Sequence, residues 1–96
     1  MKKVYSVYDK KAMFFSSPMV FDYLPQATRV FENEVKNKNS QLNQYPEDFA
    51  LYQIAEFDET KGTIIALDTP RHICDAMEYV LPFTDNAPMY ENEKLN

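Results

Sequence analysis

The chain has 96 residues, 45% hydrophobic and 15% aromatic, with a formal net charge of −5, one glycine and one cysteine. That length supports one hydrophobic core, and the mixture of apolar runs with charge is globular rather than disordered. The lone Cys74 excludes an internal disulfide, one glycine excludes a glycine-rich phosphate loop, and no run reaches the ~20 apolar residues of a membrane helix.

Residues 2–8 and 12–16 are rich in strand formers and are separated by the polar Asp9-Lys10-Lys11, so a first β-hairpin is expected there. Pro18 closes it, and Asp22 is placed to cap the next element. From Pro25 to Lys36 the apolar positions Leu24, Ala27, Phe31 and Val35, helped by Val30, recur at helical spacing, with Arg29, Glu32, Asn33 and Lys36 on the outer face. Asn37-Lys38-Asn39-Ser40 ends this helix, and Leu42 and Tyr45 pin the loop beyond it. Residues 49–57 form a strand that is apolar on both faces and therefore belongs inside a sheet, with Pro46 marking its start. Phe49, Leu51, Ala55 and Phe57 lie on one side, and Ala50, Tyr52 and Ile54 on the other. The strand turns through residues 58–62, where Gly62 takes the positive φ and Asp58 accepts a bond from the backbone near Thr60, and returns through residues 63–67. Thr69-Pro70 then reads as a capped helix start, and Ile73, Ala76, Met77, Val80 and Leu81 supply an amphipathic stripe stopped by Pro82.

These elements predict an α+β fold, a mainly antiparallel sheet from two β-hairpins with two helices in the order ββαββα. Residues 1–83 form a single domain, and 84–96, poor in apolar residues, form a flexible acidic tail.

Charge is polarised along the chain. Residues 1–46 hold seven basic and four acidic side chains, +3, and residues 47–96 hold three and eleven, −8. Lys2, Lys3, Lys10 and Lys11 lie at the two ends of the first hairpin, interleaved with Tyr5, Tyr8, Phe14 and Phe15, while Arg29 projects from the first helix. Rings on a sheet flanked by cations suit single-stranded nucleic acid, because bases stack on rings while ammonium groups track phosphates. The same rings are also what a small core requires, and alternation frees at most half of them.

Catalytic groups are sparse. His72 and Cys74, the only residues of their kinds, stand two apart on the expected second helix, where their side chains diverge by about 200° and cannot form a nucleophile and base pair. Glu47-Asp48 and Asp58-Glu59 are adjacent acids that diverge likewise and lack a histidine for a transition-metal site. No enzyme activity, cofactor or metal is therefore expected.

The motifs Tyr5-Ser6-Val7-x-Asp9-x-Lys11-Ala12-x-x-Phe15-x-x-Pro18, Ala27-x-Arg29-x-Phe31, and Pro46-Glu47-Asp48-Phe49-x-Leu51-Tyr52-x-Ile54-x-Glu56-Phe57-Asp58 leading to Gly62 resemble the small nonstructural protein of gokushovirus-type microviruses, the single-stranded DNA bacteriophages. The likeness covers roughly residues 3–67. It implies a non-capsid phage protein of the bacterial host cytoplasm that binds single-stranded DNA and assists the switch to single-stranded genome synthesis. Arg29 and Lys11 are the family-matched cations expected to meet phosphate, followed by Lys3, Lys10 and Lys2, with Tyr8 and Phe15 as stacking rings. Homo-oligomerisation would join open sheet edges. The alternative is a non-enzymatic protein-binding module whose acidic C-terminal half meets a basic phage or host replication protein.

Overall fold

The computed structural model describes residues 1–80. Its elements are β1 (Lys2–Asp9), β2 (Phe14–Phe15), β3 (Met19–Phe21), α1 (Leu24–Lys36), α2 (Gln41–Gln44), β4 (Phe49–Asp58) and β5 (Thr63–Asp75), with 3-10 turns at Pro46–Asp48 and Ala76–Tyr79. The fold is α+β, as the sequence implies. The sheet is antiparallel, with β4 between β1 and β5, and with β2 and β3 both paired along the far edge of β1.

Pro18 lacks the N–H that a ladder needs, so the second arm of the first hairpin is interrupted rather than ended. Phe15 pairs with Tyr8 and Met19 with Tyr5. Ser6 and Ser16 bridge the gap: the Ser6 hydroxyl donates to the Ser16 carbonyl at 2.7 Å, and the Val7 N–H donates to the Ser16 hydroxyl at 3.0 Å.

The two hairpin turns share one geometry. Asp58 accepts from the N–H groups of Thr60 (3.0 Å) and Lys61 (3.2 Å), and Gly62 closes the turn at φ 69°. Asp9 accepts likewise from Lys11 and Ala12, both at 3.0 Å, but the closing residue is Met13 at φ 64°. A side chain in that left-handed region meets its own carbonyl, a cost glycine escapes.

α1 buries Ala27, Phe31 and Val35 against Tyr5, Phe49, Leu51, Cys74 and Ala76, with Val7, Met19, Phe21 and Leu42 packed around them. Phe31 is 1% exposed, whereas Val30, expected to help the stripe, lies one position off it and is 42% exposed. Leu24, expected on the stripe, lies at its exposed start. The helix begins differently from expectation. Asp22 leaves the cap and pairs with Lys2 at 2.9 Å, and the Gln26 side chain instead accepts from the Tyr23 N–H at 2.8 Å. The loop after α1 contains α2, whose start is capped by the Ser40 hydroxyl accepting from the Asn43 N–H at 3.1 Å. Leu42 pins it to the core, but Tyr45 stays exposed.

The largest correction concerns residues 69–81. No helix forms at Thr69-Pro70, because β5 runs on to Asp75, with Arg71 opposite Gln53 and Cys74 opposite Leu51. Four residues, 67–70, stand against Ile54 alone, so Pro70 falls in a bulge on an edge strand, where its missing donor costs nothing. The stripe that mimicked a helix has two sources. A bulge at Ile73 turns Ile73 and Cys74 toward the core, and the 3-10 turn beyond it repeats every three residues, placing Ala76 and Tyr79 there as well. Leu81, Pro82 and the expected tail at 84–96 lie outside the described residues.

Relieving the strain at Met13 tests the shared turn geometry. Met13→Gly is expected to raise stability by about 1 kcal/mol and Gly62→Ala to lower it by about the same, read as opposite shifts of the urea unfolding midpoint.

Candidate nucleic-acid interface

Strand alternation divides the rings between two faces. Tyr5 and Val7 of β1 and Phe49 and Leu51 of β4 point into the core beneath α1. Tyr8 and Tyr52 therefore point to the reverse face, and β2 and β5 add Phe15 and His72 beside them. The four rings form a ladder across β2, β1, β4 and β5: Tyr8 to Phe15 at 4.6 Å between centroids, Phe15 to Tyr52 at 5.6 Å, Tyr8 to Tyr52 at 5.9 Å and Tyr52 to His72 at 5.4 Å. Three of the four pairs are near perpendicular, an arrangement that satisfies edge-to-face attraction. Phe15 is 39% exposed. Both helices and the turn at Ala76–Tyr79 contribute to the opposite face, so the ladder is not part of the helix-covered core.

One end of the ladder is ionic. Asp75 accepts from His72 Nε2 at 2.9 Å and lies 3.7 Å from Lys10 Nζ. The His72 bond and the Lys10 charge hold the Asp75 carboxyl below its usual range. Lys11, in the same turn as Lys10, makes no ion pair among the described residues.

Of the residues singled out in the sequence, the structure brings Tyr8 and Phe15 together and sets Lys10 and Lys11 at their end of the sheet. Lys2 and Lys3 sit at the other end of β1, six and five residues from Tyr8, or ~20 and ~17 Å. Lys2 is held by Asp22, which raises its pKa, and Lys3 stands across from Glu56. Arg29 is exposed on α1, two positions from both Ala27 and Phe31, and so faces away from the sheet. It is on the opposite side of the molecule from the ladder. Tyr52 and His72 complete the ladder and are not among the site residues the sequence points to. Tyr52 is legible from alternation in β4, but His72 is hidden by the helix-like pattern of residues 69–81.

His72 and Cys74 do not meet on the strand either. Cys74 is buried beneath α1, where desolvation pushes its thiol pKa up. The Tyr79 hydroxyl donates to Cys74 Sγ at 3.9 Å, and Tyr79 itself is pushed up to about 12, chiefly by burial. Among the described residues, no three His, Cys, Asp or Glu side chains converge as a metal site.

A cavity of about 620 Å³ opens between α1 and the β1–β2 edge, lined by Val7, Phe14, Met19, Val30, Phe31 and Leu42. Its polar lip includes Asp9 and Glu34 and no cation, which disfavours a polyanion there.

The architecture is that of a small α+β protein with helices on one face of an antiparallel sheet and an aromatic ladder on the other. The chain belongs to the Phage ORF5 protein family, whose model matches residues 2–79, and it is thus a phage protein. Neither curated proteins nor solved structures gave a match. No helix of the described residues is long and apolar enough to cross a membrane.

Two measurements probe this surface and the core behind it. Because its pKa is depressed in the fold, Asp75 contributes stability that is present above the ordinary carboxylate pKa of 3.8 and is lost as pH falls through the lower folded value. The stability gap between wild type and Asp75→Asn is therefore expected to be widest above about pH 4 and to close below it. Cys74 is expected to be alkylated by iodoacetamide only as fast as the protein unfolds, seen as mass gain over time with and without urea.

Proposed function

We propose that this phage protein binds single-stranded DNA, without sequence preference, on the reverse face of its sheet. The observation that carries the reading is the Phe15–Tyr8–Tyr52–His72 ladder on the face without the helices. Every base has a π-face, so a row of rings takes a strand of any sequence, and nearby ammonium groups meet its phosphates. Lys10, 3.7 Å from the Asp75 carboxylate that holds His72, and Lys11, next to it in the same turn, supply that charge. The role is non-enzymatic. In keeping with the likeness to gokushovirus-type nonstructural proteins, the protein acts in the bacterial host cytoplasm and assists the switch to single-stranded genome synthesis.

A second reading, contact with a basic protein partner, is favoured by the acidic lip of the apolar cavity beside α1. It uses the other face of the molecule, so the two readings separate by mutation.

Fluorescence anisotropy with a labelled oligothymidine tests the first. Binding is expected at ~10 mM salt and to weaken steeply toward ~150 mM as counterion release loses its advantage. Phe15→Ala and Tyr52→Ala are each expected to weaken binding about ten- to hundred-fold, the range for a lost base–ring stack, with circular dichroism confirming the fold. At ~150 mM salt Arg29→Ala is expected to change it less than about two-fold, since a charge on the far side lies beyond the ~8 Å Debye length. Absence of binding at ~10 mM salt ends this reading.

A further inference from the structure

The two edges of the sheet are unlike. The edge made by β2 and β3 is two strands of two and three residues, broken at Pro18, and so offers no continuous row of backbone groups. The other edge is β5, which pairs only with β4. Within it, residues 63–67 read Thr-Ile-Ile-Ala-Leu, without charge or proline, and Ile64 and Ile65 are 66% and 49% exposed. Devices that blunt an edge begin at the far end of this segment, where Leu67 opens the bulge of residues 67–70 with Asp68 and Pro70.

We propose that residues 63–67 are the pairing edge for a second copy of this chain, joined antiparallel about a two-fold axis through Ile65. Charge selects this occupant. The segment is flanked by Lys61 on one side and Asp68 on the other, so antiparallel self-pairing sets Gly62 opposite Asp68 and brings each Lys61 beside the Asp68 of the second copy. A parallel pairing would align like charges instead. Side chains also match: Ile65 meets Ile65, Ile64 meets Ala66, and Thr63 meets Leu67, combinations that pack on a pleated surface. The contact is isologous and consumes the edge it uses, so it closes at two copies.

Symmetry links this pairing to function. A two-fold axis perpendicular to the sheet keeps each face on its own side, so both aromatic ladders open in the same direction on one continuous sheet. This step alone rests on the DNA reading. The pairing does not.

Sedimentation velocity on the full chain from about 1 μM to about 1 mM reads the pairing, a range suited to a short strand–strand contact. The expected result is a concentration-dependent shift from 11.3 kDa to twice that mass. Ile65→Lys is expected to weaken the dimer at least ~30-fold by burying unpaired ammonium groups, while Val20→Lys on the opposite edge leaves it intact. Should Ile65→Lys fail to fold, Ile65→Cys in a Cys74→Ser background provides the second arm: mild oxidation is expected to give a disulfide-linked dimer, and Val20→Cys in the same background is not. A monomer throughout the range, open-ended polymers, or equal cross-linking at positions 20 and 65 would each overturn the proposal. A dimer that binds no oligothymidine would leave the pairing standing and remove only the nucleic-acid reading.

Discussion

The structure depends on the burial of the first seven residues of β4, of which only Tyr52 and Ile54 are not fully buried. Phe49, Ala50, Leu51, Gln53 and Ala55 are all buried, so the strand needs a neighbour on each edge and cover on each face. β1 supplies one edge and β5 the other. α1 covers one face with Phe31 and Val35, and the reverse face is closed by the strand's own rings and those beside it. Removing water from so long a strand also obliges its backbone groups to pair, which is possible only if β5 is long enough to run beside it. The extension of β5 to Asp75 meets that requirement.

This demand explains which local signals prevailed. Thr69-Pro70 has the chemistry of a helix start, and in isolation its propensity would be informative. A helix there would leave the Phe49 end of β4 with unpaired donors and acceptors, each more costly than a lost cap. Satisfaction of the strand wins, and the hydroxyl and proline are absorbed in a bulge. By contrast, α1, the turn closed by Gly62 and both faces of β4 rest on local chemistry that tertiary contacts reinforce, so they are legible in the sequence. The small elements are not. Phe14–Phe15 and Met19–Phe21 are too short to show a period, and α2 is a single turn set by the Ser40 cap.

For the candidate site, residue chemistry can be read from the sequence and side cannot. Tyr5 and Tyr8 are equivalent in composition, yet one is in the core and the other on the ladder, because they differ by three positions on a two-residue period. The helical period puts Arg29 on the outer face of α1, and the structure agrees. Which face of the sheet that helix covers cannot be read from the helix. It is decided by where Val7, Leu51 and Phe49 point, and they draw α1 away from Tyr8 and Tyr52. Of the cations in the first turn, Lys10 reaches the ionic end of the ladder and Lys11 lines a pocket with Asp9, Glu47 and Asp48, while Arg29 lies on the far side of the molecule.

An acidic protein is an awkward partner for a polyanion, and the net charge of −5 would weigh heavily if every carboxylate faced solvent alone. Many do not. Asp9 and Asp58 accept backbone N–H groups in the two turns, Asp22 pairs with Lys2, Glu32 with Lys36, Glu59 with the terminal amine, and Asp75 with His72 and Lys10. Carboxylates held this way project weaker fields, and beyond about 8–10 Å salt screens the remainder. The quantity that decides attraction is thus the local balance around the ladder. There Lys10 meets Asp75, whose charge is already shared with His72, whereas Lys11 lines a pocket with Asp9, Glu47 and Asp48, and Glu34 belongs to the cavity beside α1. The same alternation that builds the core thus sets the ring ladder on one face and the acidic cavity lip on the other.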